Sequence, residues 1–82
     1  MKYYIIYGWS DCSFCARAQK LLERKEIKYF FLSLDDKANL LNHFKEFYNW
    51  PTVPIIVEHN TELTDATLVG GYTELCKHLE VQ

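Results

Sequence analysis

A chain of 82 residues, 49% hydrophobic and 16% aromatic, is long enough for one small domain and too apolar to stay disordered. Nine basic against eleven acidic residues give a formal charge of −2 with no run of like charge, which argues against nucleic acid and a membrane surface as partners. The longest apolar run, YYIIY, is far short of a membrane span or a secretory segment, so a single monomeric, cytoplasmic domain over residues 1–82 is expected.

KYYIIY, residues 2–7, is a continuous β-branched and aromatic run and reads as a strand buried on both faces. Gly8 breaks it. From Cys12 to about Lys25, the apolar residues Phe14, Ala18, Leu21 and Leu22 follow the spacing of a helix with one core face. IKYFFLSL, residues 27–34, reads as a second buried strand, and Asp35 or Asp36 suits the cap of a second helix. That helix carries the stripe Leu40, Leu41, Phe44, Phe47 and Tyr48, and Pro51 and Pro54 end it. PIIVEH is a third strand, HNTELTD a polar turn, and ATLVGG a short fourth strand closed by two glycines. Tyr72, Leu75, Cys76 and Leu79 mark one face of a last helix. The order β-α-β-α-β-β-α implies an α/β fold. Its first two strands are parallel and its last two form an antiparallel hairpin, giving a mixed four-stranded sheet flanked by helices on both faces.

Three cysteines, Cys12, Cys15 and Cys76, are an odd count, unlike the even and denser set of a secreted disulfide scaffold. Cys76 reads as a small apolar residue of the last helix. Cys12 and Cys15, in SDCSFCARAQ, admit three readings: a metal clip, a structural staple or a reactive pair. Structural zinc needs four ligands, whereas His43, His59 and His78 are 16 and 19 residues apart and read as surface residues, so no metal site is expected. A staple closing so short a loop constrains little. The reactive reading fits best. One helical turn brings positions i and i+3 within disulfide range, and Cys12 at the helix start meets free N–H groups and a dipole that stabilise a thiolate. Cys15, inside the first turn, suits the resolving thiol.

With CSFC after the first strand, TVP at residues 52–54 and GGYTEL at residues 70–75, the chain resembles a glutaredoxin of the thioredoxin superfamily over essentially its full length. The resemblance implies a thioredoxin-like fold, with Cys12 attacking a protein disulfide or a glutathione mixed disulfide and Cys15 resolving it. It implies a cis Val53–Pro54 bond that lets Val53 pair with a bound peptide as an added strand. It also implies backbone N–H groups at Tyr72 and Thr73 for the γ-glutamyl carboxylate. Trp9, Ser13, Phe14, Thr52, Pro54 and Gly71 complete the expected glutathione and substrate site, Phe14 standing where the family usually has tyrosine. Glutathione is the expected co-substrate, with no permanent cofactor. Other positions depart from the family. Trp9 stands where a lysine is frequent, Trp50 where a basic or polar residue is frequent, and Thr73 where an acidic one is common. Arg17 and Lys20 read as a solvated helix face.

The expected function is therefore that of a dithiol glutaredoxin acting on disulfide-containing proteins. One alternative is a glutaredoxin-like electron donor, for instance to ribonucleotide reductase, reduced by thioredoxin reductase. Another is a glutathione-dependent [2Fe–2S] binding module.

Overall fold

Lys2–Gly8 form β1, and the two-residue alternation of a strand sends its side chains into two separate cores. Tyr4 and Ile6 enter one core, while Ile5 and Tyr7 reach the other. The computed structural model describes residues 1–80; positions 81 and 82 of the expected domain lie outside them. Ser13–Arg24 form α1, Tyr29–Ser33 β2 and Ala38–Phe47 α2. Ile55–Asn60 form β3, Asp65–Gly70 β4 and Tyr72–Glu80 α3. The sheet order is β2-β1-β3-β4, with β1 and β2 parallel and both other pairs antiparallel. Ala18 and Leu22 of α1, with Leu75 and Leu79 of α3, pack on Tyr4, Ile6 and Ile56. Leu41 of α2, backed by Phe44 and Tyr48, packs with Tyr7, Ile55 and Val57 on the opposite face. The expected mixed sheet with helices on both faces is thus present.

Several local expectations need correction. β2 lies at the sheet edge and not in its interior, so Phe30 and Leu32 are exposed. Phe14 leaves the core face of α1 and is 49% exposed, while Cys15, at 1%, takes the buried place in the first turn. Of the α2 stripe, Leu40 and Phe47 face outward. The cap of α2 is Lys37, with no side-chain hydrogen bond, because Asp35 is engaged elsewhere and Asp36 lies one position too early. That helix stops before either proline. Asn49 turns the chain at φ 53°, and the Trp50 N–H closes on the Lys45 carbonyl at 2.9 Å, which delivers Trp50 into the next loop. The polar turn shrinks to residues 61–64, since β3 runs to Asn60 and β4 starts at Asp65. None of the histidines is buried, but His59 stacks on Tyr3 at 5.0 Å, and His78 meets Glu58 at 2.7 Å.

Glu58 ties α3 to the sheet. Its carboxylate accepts from the Tyr4 hydroxyl at 2.7 Å and pairs with His78, and Lys2 lies at 3.7 Å. Burial pushes the Glu58 carboxyl up, but these partners together outweigh it and hold the group below 4.5. A depressed folded value means that Glu58 stabilises the fold above about pH 4.5, and that this contribution fades as pH falls through the folded value. The consequence for function is positional, because α3 begins at the candidate site.

Candidate active site

Gly8 ends β1, and the chain reaches α1 through Trp9–Cys12. Ser10 anchors this loop, its N–H donating to Asp35 Oδ1 at 2.9 Å and its hydroxyl donating to Asp35 Oδ2. The Ser10 hydroxyl and N–H hold the Asp35 carboxyl below its ordinary value. Cys12 then sits at the N-cap of α1 in an extended conformation, φ −146° and ψ 112°. Its sulfur does what a capping oxygen usually does, accepting the Cys15 N–H at 3.2 Å. A sulfur held there meets both a donor and the positive end of the helix dipole.

The two thiols are free and differently placed: Cys12 is half-buried, Cys15 fully buried. Burial pushes the Cys15 thiol up to about 12, helped by its hydrogen bond to Cys12. The space for Cys15 exists because residue 8 is glycine, since a Cβ there would lie 2.4 Å from Cys15 Sγ. Gly8 is a site residue that sequence reasoning took only for a strand breaker.

Beside the cysteines lies a groove of about 240 Å3. Phe14 supplies one wall. Trp50, Thr52, Val53 and Pro54 come from the α2–β3 loop, where the Val53–Pro54 bond is cis. Gly71, Tyr72, Thr73 and Glu74 come from the start of α3. Gly70, at φ 122°, makes the turn into that helix, and a Cβ there would meet Glu74 Cγ at 2.8 Å and Trp50 Cη2 at 3.1 Å. Most of the expected binding residues are therefore brought together. Two are not. Ser13 is exposed at the first position of α1 outside the groove lining, and Trp9 lines a different recess with Ser10, Asp11 and Asp35.

Glu74 is the second residue that sequence reasoning missed. Its carboxylate accepts the Gly71 N–H at 3.0 Å, so an acidic group does stand at the start of α3, one position beyond Thr73. The signal was present in GGYTEL as an acid three residues after a glycine at a helix start. The groove lining contains this carboxylate and no lysine or arginine. Among the described residues no three His, Cys, Asp or Glu side chains group as metal ligands.

The model of the glutaredoxin family matches residues 4–61. Among solved structures, glutaredoxin 1 from Francisella tularensis, complexed with cacodylate, is 22% identical and superposes with a TM-score of 0.74, covering 98% of this chain and 94% of that one. A buckwheat glutaredoxin in complex with glutathione is 18% identical, with a TM-score of 0.71 over 94% of this chain and 68% of that one. No curated protein sequence matches.

Proposed function

The chain belongs to the glutaredoxin family of the thioredoxin superfamily, and we propose that it is a dithiol thiol–disulfide oxidoreductase that draws its electrons from glutathione. One observation carries this reading: the Cys12 sulfur caps the first turn of α1 by accepting the Cys15 N–H, one thiol accessible and the other buried, beside a groove with a cis-proline wall.

The chemistry follows from that asymmetry. The Cys12 thiolate attacks one sulfur of a substrate disulfide. The substrate S–S bond breaks, a Cys12–substrate disulfide forms, and the other substrate sulfur leaves as a thiolate that takes up a proton. Cys15 must then give up its own proton and attack Cys12 Sγ, releasing the second substrate thiol and leaving a Cys12–Cys15 disulfide. At rest Cys15 resists deprotonation, through burial first and then through its hydrogen bond to Cys12 and the charge there. The last two causes disappear once the Cys12 sulfur is part of a mixed disulfide. The buried thiol thus gives up its proton more readily once there is a disulfide to resolve, with burial still opposing it. Two glutathione molecules restore the dithiol and leave as glutathione disulfide, which balances the two electrons.

In the bound state, the free N–H groups at the start of α3 suit the γ-glutamyl carboxylate of glutathione, and Glu74 suits its ammonium group. Val53, in the groove wall beside the cis bond, offers its backbone to a bound peptide. A reducing compartment such as the cytosol is where this cycle would run.

A second reading has specific support. The groove lining lacks a cation, which weakens one contact to the carboxylates of glutathione and favours thioredoxin reductase as the electron source. The deciding experiment oxidises the protein to its Cys12–Cys15 disulfide and follows its reduction by glutathione or by thioredoxin reductase with NADPH. Faster reduction by physiological glutathione is the expected outcome. Reduction by the reductase alone would replace the first reading with the second.

A further inference from the structure

The wall formed by Tyr72 has two sides. One faces the active-site groove, and the other faces a larger cleft of about 490 Å3 between α1 and α3. Arg17, Lys20 and Arg24 line that cleft together with one carboxylate, Glu23. Their spacing of i, i+3 and i+7 puts the three cations on one stripe of α1. Glu23, whose Oε1 accepts from the Tyr29 hydroxyl at 2.5 Å, offsets part of this charge, and the cations still outnumber it. The ion pairs found among the described residues involve Met1, Lys2 and His78, so none of the three cations has a carboxylate partner there. Arg17 instead lies over the Phe14 ring at 5.2 Å, and that ring is 6.2 Å from Tyr72. A chain of net charge −2 therefore gathers an excess of positive charge on the helix that Cys12 caps, while the groove itself carries no lysine or arginine. Like charges on one helix stripe repel, so the arrangement works against the stability of α1.

We propose that this cleft docks an acidic segment of the protein substrate, lying in sequence beside the cysteine that Cys12 attacks. The proposal rests on the oxidoreductase reading above and names a substrate class for it. Helix rise places Arg17 about 7.5 Å and Arg24 about 18 Å beyond Cys12 along α1. An extended chain advances about 3.3 Å per residue, so carboxylates about two to six positions from the attacked cysteine fall opposite the stripe. Glutathione has one residue on each side of its cysteine and does not extend to Arg24. Charge at such a rim acts on encounter and on partner choice.

The test uses two peptides, each cyclised by a disulfide, that differ only at positions two to six beyond one cysteine, where one carries Asp and Glu and the other Ser. For the unaltered protein at low ionic strength, kcat/KM is expected to favour the acidic peptide by about tenfold, the order that several rim charge pairs supply. The preference should fade as salt is added. In the double variant Lys20→Gln, Arg24→Gln it should shrink to near unity through KM, with kcat and turnover of a glutathione mixed disulfide unchanged. Equal kcat/KM for both peptides with the unaltered protein overturns the docking proposal and leaves the oxidoreductase reading standing. Reduction of neither peptide overturns both.

Discussion

Replacing Cys12 with serine is expected to reduce thiol–disulfide exchange to the uncatalysed level, whereas replacing Cys15 with serine should spare turnover of small glutathione mixed disulfides. The reason lies in what each sulfur touches. Cys12 is the accessible sulfur at the N-cap of α1, and a serine hydroxyl there is not a nucleophile for sulfur. Cys15 is buried, and its thiol is held protonated up to about 12, so it takes no part in the first attack. Glutathione can resolve a Cys12–glutathione disulfide from solution, and the Cys15→Ser variant should lose no more than about tenfold there, or about 1.4 kcal/mol of barrier. On protein disulfides the same variant should stall as a trapped mixed disulfide, because the internal thiol is missing. Steady-state rates on the two substrate types, with mass analysis of the trapped species, read all of this. An active Cys12→Ser variant would reverse the assignment.

The second large effect is expected at a residue with no reactive group. Gly8→Ala places a Cβ 2.4 Å from Cys15 Sγ, closer than real side chains approach, and 3.6 Å from Phe31 Cε1. Something must move, and overfilling a packed site typically costs about 1–3 kcal/mol. The atom in the way is the resolving sulfur, which would be pushed out of line with Cys12. Misplacing a reacting group by about 1 Å can lower a rate about a hundredfold, so reduction of protein disulfides should fall by that order. Turnover of glutathione mixed disulfides, which needs only Cys12, should fall much less. Thermal unfolding alongside both assays separates lost stability from lost geometry. Equal loss on both substrates in a folded protein would show that Gly8 does not act through Cys15.

Much of this arrangement is legible in the sequence. The strand run YYIIY, the CSFC pair at a helix start and the TVP and GGYTEL stretches are local signals, each fixed by backbone chemistry within a few residues. What escaped was set by contacts distant in sequence. Phe30 and Leu32 look like core residues, yet the order β2-β1-β3-β4 leaves their strand at an edge, and an apolar run does not state its place in a sheet. Asp35 has the chemistry of a helix cap, but Ser10, 25 residues earlier, claims its carboxylate. Phe14 fits the helical period of the core and instead walls the groove, the buried place going to Cys15. Trp9 and Trp50 looked equivalent as flanking tryptophans, yet only Trp50 lines the groove. The importance of Gly8 was hidden because it consists of a side chain that is absent, and its consequence appears only once Cys15 is packed against it.

In the proposed cycle Cys12 and Cys15 form one two-electron couple exchanging with glutathione. Equilibrating the protein in glutathione buffers of graded ratio, quenching with acid and mapping the cysteines tests it most directly. One transition is expected between the dithiol and an intramolecular Cys12–Cys15 disulfide, with a midpoint of about −200 to −230 mV and Cys76 reduced throughout. A protein whose Cys12 and Cys15 remain free thiols across the whole series, or whose disulfide forms through Cys76, would contradict it.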